Sequence, residues 1–200
     1  MSTFDTDRLG EAYRALLDAA EATEVTEGAE VTEAGGDADG DAGGVPPRGE
    51  WDADQILAHV SLVSAMTLAT VSAIAAGSHA VYDNRLAQDV WTLDRTIELA
   101  GGNAGLRDRL RLQAEALCAV GGGLALSGSE LDTLVPTRLV SHGKVLVDQP
   151  VTLREILDGL AGMEIPGHTR QLLALPGRGD ARGASAADPS AGEVPPSVRS

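Results

Sequence analysis

Glu164 and His168, with a distant histidine, His59, are the residues in this chain whose types and spacing most directly suggest chemistry. On a helix, residues four apart lie on one face a turn apart, so the carboxylate and the imidazole reach toward one point. Leu153, Leu157 and Leu160 before them, and Leu172 and Leu175 after, recur at helical steps and predict an apolar stripe turned to a core. A carboxylate and an imidazole thus replace leucines on a face expected to be buried. An unpaired buried carboxylate is costly or has its pKa driven upward, so Glu164 should have a compensating partner. A divalent metal ion shared with His168 and His59 is the sharpest candidate. Two imidazoles and one carboxylate leave a fourth position open, as in catalytic zinc sites. The plain alternative is a hydrogen-bonded polar core, because Glu-x-x-x-His pairs are common and the spacing leaves both readings standing.

The elements that must position these residues are legible from periodicity and caps. Residues 152–175 read as an amphipathic helix opened by a Thr152/Glu155 capping box. Pro166 should bend it, because it removes a backbone bond to Gly162. Residues 50–77 form the best-signalled helix, with Asp52 as N-cap, Gln55 at N3 and Trp51 stapled on Ile56. Its apolar face runs through Ile56, His59 or Val60, Val63, Thr67 or Met66, Thr70, Val71 and Ile74, and Gly77 ends it. Gln55, one turn before His59, is the residue expected behind the metal ligands. A first helix covers residues 4–22, with Phe4, Leu9, Tyr13, Leu16, Leu17 and Ala20 inward. Two more, residues 84–100 and 106–120, are broken by the glycines at 101–105 and end at Gly121. Residues 138–148 change to a β period around His142-Gly143, which predicts a small hairpin laid against the helices. The order predicts an all-α four-helix bundle with a β-hairpin embellishment.

Composition bounds the function. Only 2% of residues are aromatic against 43% hydrophobic, so the core is built from Leu, Val, Ile and Ala, a palette suited to close helix packing. The formal charge of −15 argues against nucleic acid or an anionic membrane as partner. More than half of it is local, since Glu21 to Glu50 carry nine acidic residues against a single Arg48. Residues 23–49 read as a disordered acidic insertion and residues 177–200 as a disordered tail, leaving one domain over 1–176. Within the insertion, Asp37, Asp39 and Asp41 begin like an EF-hand loop, but Ala42 and Arg48 stand where its turn glycine and bidentate glutamate belong. Cys118 is the only cysteine and reads as a small core hydrophobe, so no disulfide forms within the chain. The N-terminus lacks the basic and apolar regions of a secretory signal. The apolar run at 60–76 is interrupted by Ser and Thr, too polar for a membrane span of roughly 20 apolar residues. A soluble cytoplasmic bacterial protein is the expectation.

GEWDADQILAHV at residues 49–60, a long interval and MEIPGHTRQLLAL at residues 163–175 together resemble the DinB-like superfamily. The likeness is to the branch near the metal-binding domain of mycothiol-dependent maleylpyruvate isomerase. It covers roughly residues 4–22 and 51–175, through short, permissive motifs and the order of helices. It implies an up-down-down-up bundle in which His59, Glu164 and His168 are the metal ligands. It further implies zinc and a low-molecular-weight thiol of the mycothiol type, in a transferase or isomerase reaction on a small molecule. The rival expectation is a non-catalytic, stress-associated or partner-binding helical protein whose triad is structural or vestigial. A homodimer formed through an exposed helix face is compatible with either.

Overall fold

The structure, a computed structural model, describes residues 4–28, 51–122, 126–141 and 143–175. The expected acidic insertion from residue 29 onward, the tail and His142 lie outside these residues.

Helix α2 (Ala53–Ala75) lies at the centre of the packing, in contact with every other long helix. Its first turn is fixed by the predicted capping box. The Asp52 carboxylate accepts from the Gln55 amide at 2.8 Å, and the Gln55 side chain accepts from the Asp52 amide at 3.3 Å. The helix stops at Gly77, whose φ of 71° suits glycine. By length and composition α2 could cross a membrane, yet 61% of its most apolar window is buried within the fold, as in a core helix. Its polar residues are satisfied internally. Ser64, Thr67 and Thr70 donate to carbonyls one turn back, and the two tyrosine hydroxyls reach Ser64 (Tyr13, 2.6 Å) and Thr67 (Tyr82, 3.1 Å).

Helix α1 (Thr6–Gly28) packs on α4 (Asn103–Gly121) and on the last helical segment, and α2 packs on both of these as well. Leu9, Tyr13 and Leu16 of α1 meet Ile56, Val60 and Val63 of α2 and Leu106, Leu110 and Leu117 of α4 in one core. Helix α1 runs past the boundary expected at Ala22. Residues 23–28, TEVTEG, add to a helix already nucleated, and extension costs far less than nucleation.

Two expectations are corrected between α2 and α4. The helix predicted over 84–100 is a 3-10 turn (Asn84–Gln88) followed by α3 (Val90–Ala100), because Asp89 caps α3 by accepting from Thr92 at 2.9 Å. The helical period over 84–100 predicts an apolar face of Leu86, Val90 or Trp91, Leu93 or Asp94, and Ile97; Leu93 is buried, whereas Leu86, Val90 and Trp91 are largely exposed. The break at Gly101–Gly102, with φ of 85° and 81°, is as expected.

After a single-turn helix, α5 (Gly128–Leu131), the hairpin is longer than its sequence signal. Strands β2 (Leu134–Ser141) and β3 (Lys144–Thr152) pair antiparallel, with Gly143 at φ 73° in the connection. A short strand not foreseen from sequence, β1 (Tyr82–Asp83), adds parallel to β2. Asn84 prolongs that pairing, since its amide donates to and accepts from the backbone of Val140 at 3.1 and 2.8 Å. The fold is therefore mostly helical with a small three-stranded sheet.

The final helix is not one helix. α6 (Leu153–Gly159) opens with the predicted Thr152/Glu155 box, then Leu160–Glu164 form a wider π turn, and α7 (Ile165–Ala174) comes after it. The departure from regular helix expected at Pro166 is thus a π turn just before it. Ile165 bonds back five residues to Leu160, and Pro166 falls in the first turn of α7, where a missing N–H costs little. Gly162 in this turn admits the Arg8 guanidinium of α1, which a Cβ would strike.

The chain has two tyrosines, and burial pushes both phenols up, Tyr82 from 10.0 to about 12 despite its hydrogen bond to Thr67. Below pH 10 both states hold the proton and nothing changes. As pH rises from 10 to 12 the unfolded chain loses it first, so Tyr82 alone removes on the order of 2–3 kcal/mol of stability. Tyrosinate absorbance is expected to appear only together with the loss of helical circular dichroism. Ionisation near pH 10 with the helices intact would mean that the hydroxyls are not buried.

Candidate metal centre

His59 lies in the second turn of α2, Glu164 ends the π turn, and His168 stands one turn into α7. The three side chains predicted from sequence do meet. One ligand atom from each lies within 4.8 Å of the other two. Glu164 Oε1 is 2.9 Å from His59 Nε2 and 3.5 Å from His168 Nε2. Bonds of roughly 2.0–2.2 Å around a tetrahedral ion place ligand atoms roughly 3.3 Å apart, between these two separations.

The other ring nitrogens show how the imidazoles are oriented. His59 Nδ1 donates to the Ala87 carbonyl oxygen at 2.6 Å, and His168 Nδ1 donates to Gln171 Oε1 at 2.9 Å. A carbonyl oxygen can only accept, so Nδ1 of each ring carries its proton outward. Each Nε2 then has two options toward Glu164. It holds a second proton, making the ring a cation, or it presents a lone pair that would repel the carboxylate unless a cation lies between them. Fixing the tautomer with an outer acceptor is the arrangement that prepares histidine for a metal. The donor set and its orientation fit a divalent ion, which the three residues could hold.

Burial by itself would push the Glu164 carboxyl up. Hydrogen bonds from His168 and His59, with their electrostatic attraction, outweigh it and hold the carboxyl well below the usual carboxylate range. The site is graded in exposure. His59 is 1% exposed, His168 16% and Glu164 36%. Glu164 was expected on the buried stripe. The π turn shifts the helical phase of the residues beyond it, so Ile165 takes the fully buried position and Glu164 faces a cavity.

That cavity, about 1100 Å³, lies between the α6–α7 segment and the inner face of the hairpin, with the triad in its wall. Trp51 covers the rings, its centroid 4.7 Å from that of His59 and 6.2 Å from that of His168. The indole expected to staple onto Ile56 walls the site. Gln55 is not behind the ligands. Its amide caps α2 and donates to Asp94 at 3.4 Å, whereas Ala87 and Gln171 hold the rings. The spacing of Gln171, three residues after His168, was a signal available in the sequence; the Ala87 carbonyl, 28 residues from His59, was not. Cys118 does not line the cavity. Its thiol, pushed up by burial, donates weakly to the Thr6 carbonyl at 3.7 Å. His79 is exposed at the end of α2 and takes no part.

Comparison with known protein families, with curated proteins and with solved structures gives no match for this chain.

Replacing an outer partner of a metal-bound histidine typically lowers affinity about 10- to 100-fold. Gln171→Ala should do so for zinc, and Gln55→Ala should not, as read by competition with a chromophoric chelator. Equal effects of the two would reassign the support of the site.

Proposed function

We propose that this chain is a DinB-like metalloprotein in which His59, Glu164 and His168 hold one divalent ion, zinc by donor type, facing a cavity that admits a small molecule. On this reading α1, α2, α4 and the α6–α7 segment are the four helices of an up-down-down-up bundle, with the sheet as an addition. The observation that carries it is the orientation of the rings. Both Nδ1 protons are engaged outward, and both Nε2 atoms converge on one carboxylate at a cavity wall.

A zinc ion in that position would hold a thiol as its thiolate near neutral pH, which suits a thiol-dependent transferase or isomerase of the mycothiol type in the cytoplasm. His59, buried and braced by Ala87, is the rigid anchor. Glu164, the most exposed of the three, faces the side from which a thiol and its co-substrate enter. Trp51 excludes water from the ring faces. A second reading, a polar core network without an ion, draws support from the direct 2.9 Å approach of His59 to Glu164.

Elemental analysis of the purified chain, with cobalt substitution, separates the two. The expected result is about one ion per chain, bound roughly tenfold or more weakly by His59→Ala, Glu164→Ala and His168→Ala. Added thiols should then give a sulfur-to-cobalt charge-transfer band. A chain that cannot be loaded, with variants that lose only stability, would establish the polar network and remove the enzymatic reading.

A further inference from the structure

The charged groups around the cavity restrict what can enter it. Outside the triad, the charged side chains among its described lining residues are Arg85, Asp89 and Glu155. Arg85 is committed to Asp83, with Nε at 3.0 and 2.9 Å from its two oxygens and Nη2 at 2.6 Å from one. Asp89 accepts from the Thr92 amide and hydroxyl at the start of α3. Glu155 does the same for Thr152 at the start of α6. Outside the triad, no cation among the described lining residues is thus left to neutralise a carboxylate or phosphate, and the two carboxylates add a negative field along this part of the wall. An ion held by the triad would in turn disfavour a cationic head.

The rest of the wall is largely apolar. Leu139, Val147 and Val151 of the hairpin face Ile156, Leu160 and Met163 of the last helical segment. At the mouth, Met163 is 72% and Leu146 66% exposed, large apolar side chains held in water beside a cavity. The volume lies just above the roughly 300–1000 Å³ usual for small-molecule sites.

We infer that the cavity takes a small molecule with an extended, uncharged apolar body, which lies between the hairpin and the α6–α7 segment with its polar head toward the triad. The head-group contact rests on the metal reading above and names its substrate class; the selection of an uncharged, apolar body does not depend on it. Burial of each methylene between these walls should raise affinity about two- to fourfold.

The test uses the full chain, metal-free and zinc-loaded, with the neutral fluorophore phenylnaphthylamine as reporter. Butanol, hexanol and octanol should displace it from the metal-free chain with affinity rising along the series. Met163→Glu and Leu146→Glu, both at exposed positions and checked for unchanged melting, should weaken octanol roughly tenfold, the cost of bringing an uncompensated charge to an apolar wall. In the zinc-loaded chain, hexanethiol should bind more tightly than hexanol. Affinity independent of chain length, or unchanged binding by the folded variants, would overturn the inference. The alkanol series needs no metal, so its failure is distinct from a failure to load zinc, which would instead abolish only the preference for the thiol.

Discussion

The contact between His59 and Glu164 joins residues 105 apart, and much of the arrangement around it can be read as what that contact requires. A buried imidazole facing a carboxylate is stable only when every proton has a destination, because a half-satisfied polar group in a low-dielectric setting costs more than an apolar one. The 3-10 turn supplies the Ala87 carbonyl to one side of His59, and Trp51 covers its face. Across the contact, Glu164 is brought forward by a π turn, and His168 is steadied by Gln171. Removing one partner from such a set leaves the other charged and unpaired, which explains how three polar residues can persist beside a leucine core.

The π turn links covalent constraint to site geometry. Pro166 cannot donate a backbone hydrogen bond and would crowd the carbonyl one turn before it in a regular helix. Widening the preceding turn accommodates it and advances the phase, so that Ile165 enters the core while Glu164 faces the cavity. Short π segments are rare in helices and recur at functional sites.

A core almost without aromatic side chains sets the remaining constraint. Leucine, valine and isoleucine fill the space between α1, α2 and α4, and the two buried tyrosines are tied to serine and threonine hydroxyls on α2. The hairpin joins this packing only along part of its length, through buried Val135 with Leu139 and Val151 packed against the core. Its β2 strand is held by Asn84 and β1, and beyond the core contacts the hairpin and α6–α7 together wall the cavity.

The sequence by itself determined what is local. Both capping boxes, the apolar faces of α1 and α2, the glycine breaks, the β period of the hairpin and the four-residue step from Glu164 to His168 arise from interactions within one or two turns, where residue type dictates hydrogen bonding and periodicity. Tertiary packing decided what spans the chain. It brought His59 to Glu164, chose Ala87 and Gln171 over Gln55 as supports, and added β1 to the hairpin. It also left Leu86 and Trp91 exposed where a helical period predicted burial. The physical reason is that a cap or a turn gains its free energy from neighbours in sequence. A ring orientation, a shared carboxylate or a cavity wall depends on surfaces that exist only after the helices have packed.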